Sequence, residues 1–177
     1  GQVIITQDVK FYNNNSSILF KQDNPVTWSA NATAISFNFT GTEFNLNGGE
    51  KICDAVPGTW YKIVLSADVT SKLCFAKVYD AEGTLLGESD VTAFVNAGAT
   101  APVYLCYRTP DNSQGELDFN NVKMYTPEID GTKFTTTVAD ETISIPEAGE
   151  SDVTTTLTAK ALSTEGYDMI GEATWAF

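Results

Sequence analysis

The sequence predicts an all-β protein, an antiparallel sandwich or barrel. Three observations carry the prediction. Thr, Val, Ile and Phe dominate short runs that are punctuated by Asn, Asp, Gly and Pro. The runs recur roughly every 8–12 residues, the habit of stacked antiparallel strands. No stretch of about ten residues or more holds a helical period of 3.6.

Residues 34–40 form the clearest strand. Ile35, Phe37 and Phe39 alternate with Ser36, Asn38 and Thr40, so three large apolar side chains share one face. Residues 43–46 resume after the Gly41 turn with Phe44 and Leu46 inward. Residues 60–67 are more evenly apolar, as a central strand is. Strands at 72–80, 84–88, 103–108 and 117–125 follow, and residues 90–97 are the best place for one or two helical turns. Phe119 and Val122 lie three apart and cannot share a face of a regular strand, which predicts a bulge at Asn120-Asn121.

Charge and composition exclude whole classes of function. The 177 residues carry 10 Lys+Arg against 23 Asp+Glu, a net charge of −13, and no histidine. Ser-His-Asp, Cys-His and His-ligated zinc chemistry are therefore out. The negative balance repels phosphate backbones and anionic lipid, so neither nucleic acid nor membrane insertion is expected. Glycosidase chemistry needs a placed pair of carboxylates, and the acids show no specific pair. The expectation is a protein that binds and is not an enzyme. Cys53, Cys74 and Cys106 have no CxxC spacing, allow at most one disulfide, and read as small buried hydrophobes. No apolar run approaches a membrane span of about 18–20 residues and no signal peptide is seen. A mature or excised piece is expected from the Gly1-Gln2 start.

Composition shifts at Thr126-Pro127. Residues 1–126 have a net charge of −5 and residues 127–177 of −8, with eleven threonines in the second segment. Residues 127–133 read as a linker. Beyond it, strands are expected at 142–145, 152–162 and 172–177, and in the middle one Val153, Thr155, Leu157, Ala159 and Ala161 share a face. Three strands cover one side of a core and leave the other side to a partner sheet.

Three stretches carry a resemblance. The run PGTWYKIVLSADVTSKLCFAKVYDAEGTLLGE (57–88) resembles the central hairpin of laminin-G-like, concanavalin A-like jelly-roll sandwiches. The run GELDFNNVKMYTPE (115–128) is similar to the closing strand of bacterial carbohydrate-binding modules. Residues 134–177, chiefly DETISIPEAGESDVTTTLTAKALSTEGYDMIGEATWAF (140–177), resemble the opening strands of a bacterial Ig-like module. The resemblance implies an antiparallel jelly-roll module followed by a partial all-β Ig-like segment. It also implies a place in a larger secreted or bacterial cell-surface protein, with further modules covalently attached. The implied function is non-catalytic binding of a polysaccharide, most simply of the plant cell-wall type, that targets a larger enzyme to its substrate. The other reading is a structural or adhesive spacer with no sugar ligand. No cofactor is required. A structural Ca²⁺ is compatible with the family, with Asp8 and Asp118 as donors. Asn120-Asn121 stand where the family often has Asp-Asn, which removes one carboxylate there.

Sugar recognition needs aromatic faces for pyranose rings and planar polar groups for hydroxyls. The resemblance implies that Trp60 is inside. In residues 72–80, Leu73, Phe75, Lys77 and Tyr79 share a face, and an unpaired Lys77 cannot be buried. That argument exposes Phe75 and Tyr79 as a platform. The alternative points Leu73 and Phe75 to the core while Lys77 snorkels at the rim. Tyr104, Tyr107 and Arg108, the only arginine, stand beside the polar loop that holds Asn112 and Gln114. They form either a glycan clamp or an ordinary surface ion pair. Trp28, in a short stretch after Asn24-Pro25, joins the candidates from an edge.

Overall fold

The computed structural model describes residues 1–22, 32–109, 116–138 and 157–170. The chain divides into two compact units, Gly1–Thr126 and Pro127–Phe177. The first is an antiparallel sandwich of two sheets, and no α-helix occurs among the described residues.

One sheet contains β1 (Gln2–Phe11), β6 (Trp60–Asp68), β7 (Leu73–Tyr79), β8 (Leu85–Glu88), β9 (Thr92–Ala93) and β11 (Leu117–Tyr125). Its order is β11-β1-β6-β7-β8, with β9 also on β7. The other contains β2 (Ser16–Lys21), β3 (Thr33–Phe39), β4 (Glu43–Leu46), β5 (Lys51–Asp54) and β10 (Tyr104–Arg108), in the order β10-β2-β3-β4-β5. The pair β9 replaces the expected helical turns at 90–97. Leu73 and Cys74 pair with Ala93 and Thr92, and the Asn47 side-chain amide donates to the Ala93 carbonyl at 2.9 Å. Those backbone bonds decide the conformation of a segment too short to nucleate a helix alone.

The chain passes from one sheet to the other after β1, β5, β9 and β10. After β5, Gly58 adopts a φ of 75° and its N–H donates to the Phe11 carbonyl at 2.7 Å, a conformation open mainly to glycine. The turn delivers Trp60 to the start of β6. The edges β5 and β8 approach so closely that a Cβ on Gly87 would lie 2.3 Å from the Ile52 carbonyl oxygen.

The core lies between the sheets. Ile35, Phe37, Phe39, Phe44 and Leu46 enter it from the second sheet, as their alternation predicts. Val9, Phe11, Tyr61, Ile63, Leu65 and Val78 enter from the first. Five rings interlock at its centre: Phe11 stacks on Phe39 at 5.3 Å, and Tyr61 meets Phe44 edge-on at 5.0 Å. Such pairs add roughly 0.5–1.5 kcal/mol each beyond burial. Cys53 and Cys74 are buried, Cys106 is half-buried, and none of the three is in a disulfide among the described residues.

Register confirms an irregularity in β11. Asp8 pairs with Asn120 but Thr6 pairs with Lys123, so β11 carries one extra residue opposite Gln7, and Asn121 there has a φ of 52°. The bulge lies at Asn121-Val122, one step past the expected place.

The face of the first sheet away from the core is not uniformly solvated. Phe75 is only 3% exposed, against the expectation of an open platform, and Ile4, Val64 and Ser66 are buried with it on neighbouring strands. Lys77 misled that expectation. Its ammonium reaches Glu88 across the β7–β8 pair at 3.1 Å, so a half-buried lysine is compensated on a largely buried face.

The second unit contains β12 (Ile129–Val138) antiparallel to β13 (Leu157–Ser163), with a register irregularity between Asp130 and Phe134. Residues 129–133, expected as linker, thus belong to a strand. A turn closes after β13, where Gly166 has a φ of 84° and its N–H donates to the Ser163 carbonyl. The expected strands at 142–145 and 172–177, and residues 152–156 of the middle one, lie outside the described residues.

Candidate functional site

The outer face of the first sheet changes character along its strands. Antiparallel partners project on the same side, about 4.5–5.5 Å apart. Asp8 pairs with Asn120 on one side and Lys62 on the other, and Lys62 pairs with Tyr79. Four strands therefore contribute one cross-strand row, Asn120–Asp8–Lys62–Tyr79. Two residues along, Lys10 pairs with Asp118 and with Trp60, which makes a second row of opposite charges ending in an indole.

Trp60 is the correction that matters most. It was expected inside, but it is 36% exposed, while Tyr61 is buried. Alternation along β6 forces the choice. Tyr61, Ile63, Leu65 and Ala67 form the core stripe, so Trp60 must face away. Tyr61 is held there by its ring contact with Phe44 and by the Val56 N–H, which donates to its hydroxyl oxygen at 2.8 Å.

The indole is held from one side. The Lys10 ammonium lies 5.0 Å from the Trp60 ring centroid and 5.2 Å from that of Tyr12. The same ammonium contacts Asp118 Oδ2 at 3.1 Å, and the Tyr12 hydroxyl donates to that oxygen at 2.8 Å. The Tyr12 hydroxyl and then Lys10 hold the Asp118 carboxyl below its usual range. Tyr12 and then Asp118 raise Lys10 above its own. Ammonium–ring contacts of this kind orient an aromatic side chain as well as stabilise it.

A cleft of about 440 Å³ opens beside Trp60. Asp8, Lys62 and Asn120 line it from the strands, and residues 80–83 close it from the β7–β8 turn. That turn is tied by Asp80, whose Oδ1 accepts the Thr84 N–H at 2.7 Å, and by Gly83 at a φ of 90°. Asp8 is oriented by the bulge, since Asn121 Nδ2 donates to its Oδ2 at 2.5 Å. Lys62 leans over Tyr79, 5.9 Å from the ring centroid. The result is an aromatic wall with carboxylate acceptors, an ammonium donor and a primary amide at neighbour spacing, which suits hydrogen bonding to hydroxyls beside an apolar ring face.

The sequence-predicted residues do not converge. Tyr79 alone adjoins the cleft. Phe75 shares its face but is buried. Tyr107 joins the sheets: it stacks on Phe119 at 4.3 Å and its hydroxyl donates to Gln7 Oε1 at 2.5 Å. Burial pushes its hydroxyl up to about 12. Tyr104 and Arg108 are exposed on β10, at the edge of the second sheet. Trp28, Asn112 and Gln114 lie outside the described residues. Asp118, a suggested calcium donor, is engaged by Lys10 and Tyr12, and no group of three or more potential metal ligands occurs among the described residues. Sequence reasoning missed Lys10, Lys62, Asp80 and Asn120, and weighed Asp8 only as a metal ligand. The available signal was the strict alternation Asp8-Val9-Lys10-Phe11 preceding an aromatic turn.

Fold and site together define an antiparallel β-sandwich with an aromatic-walled cleft on one outer face. No protein family model, curated protein or solved structure matches the chain.

Proposed function

We propose that the first unit is a non-catalytic glycan-binding module that holds a polysaccharide in the cleft beside Trp60. The observation that carries this reading is the half-exposed indole, fixed from one side by Lys10 and bordered by Asp8, Lys62 and Asn120. Stacking of a pyranose ring on the indole supplies apolar contact, and the row of acceptors and donors supplies direction. In a larger secreted or cell-surface protein, such a module tethers attached domains to their substrate and raises its local concentration.

Affinity electrophoresis against soluble plant polysaccharides tests the reading. Retardation of the native chain, lost in Trp60→Ala, is the expected result. Passage of the native chain through every gel without retardation would favour a spacer or adhesive role instead. Repeating the gels with a chelator tests the suggested structural calcium independently.

A further inference from the structure

We infer that the ligand of this cleft is a sugar chain without acidic groups lying across the strands, and that the site rejects uronate- and sulfate-bearing glycans. The inference rests on the glycan-binding reading above and adds the class of ligand. Its first ground is the alternation of charge. Along the row, an amide (Asn120), a carboxylate (Asp8), an ammonium (Lys62) and a phenol (Tyr79) follow one another on adjacent strands. A hydroxyl both donates and accepts, so a polyol satisfies every member of such a row. A uronate or sulfate faces Asp8, Asp80 and Glu82. Three carboxylates stand in that lining against the ammonium of Lys62, so the barrier is to anions. Like charges at this spacing select against an acidic ligand.

The second ground is shape. The lining comes from β11, β1, β6 and the turn after β7, and strands neighbour one another at about 4.8 Å, so the cleft spans about 14 Å across the sheet. That span is too long for one sugar ring and fits a run of them. The ligand is therefore a stretch of chain, with the ring on Trp60 flanked by others toward Asn120 and toward the Asp80–Gly83 turn.

Calorimetry on the full chain decides the matter. The probes are neutral glucose, xylose and mannose oligomers of one to six rings, galacturonate oligomers, and glucosamine oligomers of matched length. Affinity for at least one neutral series should rise from one ring to about three and change by less than about twofold between low and high salt, because uncharged ligands are not screened. The galacturonate series should bind at least about tenfold more weakly. Tighter binding of the galacturonate series would overturn the inference while leaving a glycan-binding module in place. Tight binding of a single ring would overturn its second ground. Silence toward all series would remove the glycan reading and this inference with it. Lys62→Glu supplies the internal control: with folding verified by circular dichroism, it should weaken the neutral series and raise relative affinity for glucosamine. An unchanged order of preference in that variant would overturn the role given to alternating charge.

Discussion

The outer face of the first sheet has two ends built on the same strands and opposite in chemistry. At one end Ile4, Ser66, Val64 and Phe75 lie side by side, and all are buried. At the other, Asp8, Lys10, Trp60 and Lys62 occupy the same face a few residues along β1 and β6, around a cleft. Backbone geometry is shared, yet Ile4, Val64 and Phe75 are enclosed at one end while Trp60 and its charged neighbours stay open at the other. The period of two sets which face a residue takes, and position along the strand sets what that face is for.

Substitutions at the two ends should therefore separate stability from binding. Phe75→Ala removes a fully packed ring from the buried end and should lower unfolding stability by about 3–5 kcal/mol. Where the variant remains folded, its sugar affinity should be nearly unchanged, and a large loss there would merge the two ends into one function. Trp60→Ala tests the converse. Trp60 is already 36% exposed, so chemical denaturation should show a smaller loss than for Phe75, about 1–2 kcal/mol. Affinity for the neutral glycan should fall at least about tenfold, about 1.4 kcal/mol. A Trp60→Ala variant that unfolds like Phe75→Ala would make the indole a structural residue and break the comparison.

Lys10→Met should have a smaller effect. Methionine keeps the apolar stem but removes the ammonium that sits between the Tyr12 and Trp60 rings. The expected outcome is a few-fold loss of affinity, with broadened indole signals of Trp60 by NMR and no change in the denaturation midpoint. A shifted midpoint with an unaltered indole signal would give Lys10 a merely structural part.

Much of the fold is legible in the sequence. Ile35, Phe37 and Phe39 declare a strand because one face of β3 meets the core and the other is polar. The bulge in β11 follows from two large residues set at the wrong spacing. Legibility failed where both faces of a strand are apolar or aromatic. On β6 the sequence pattern left open which face is inward, and the core stripe of Tyr61, Ile63, Leu65 and Ala67, with the hydrogen bond from Val56 and the ring of Phe44, settles it. Lys77 misled for a related reason: Glu88, which compensates it, lies on the next strand and is identified only by register. The site was the least visible part. Asp8, Lys62 and Asn120 are ordinary residues in distant stretches of chain, and they acquire meaning only as neighbours in a cross-strand row.

Titration gives the subtlest test of the receptive end. Tyr12 and Lys10 lower the Asp118 carboxyl, so its contribution is complete above the usual carboxylate range, about 3.9, and is lost as pH falls through the lower folded value. Tyr12 and Asp118 raise Lys10, so its contribution is complete below the usual lysine value of about 10.4 and is lost as pH rises through the higher folded value. Between these limits neither group changes charge. The indole signal of Trp60, taken as the difference between native chain and Trp60→Phe, should then stay flat across the neutral range and shift only at the extremes. Lys10→Met should abolish the alkaline shift and keep an acid one, because Tyr12 still donates to Asp118. A transition in the native chain near pH 6–7 would mean that another group governs the ring, since neither Asp118 nor Lys10 titrates there.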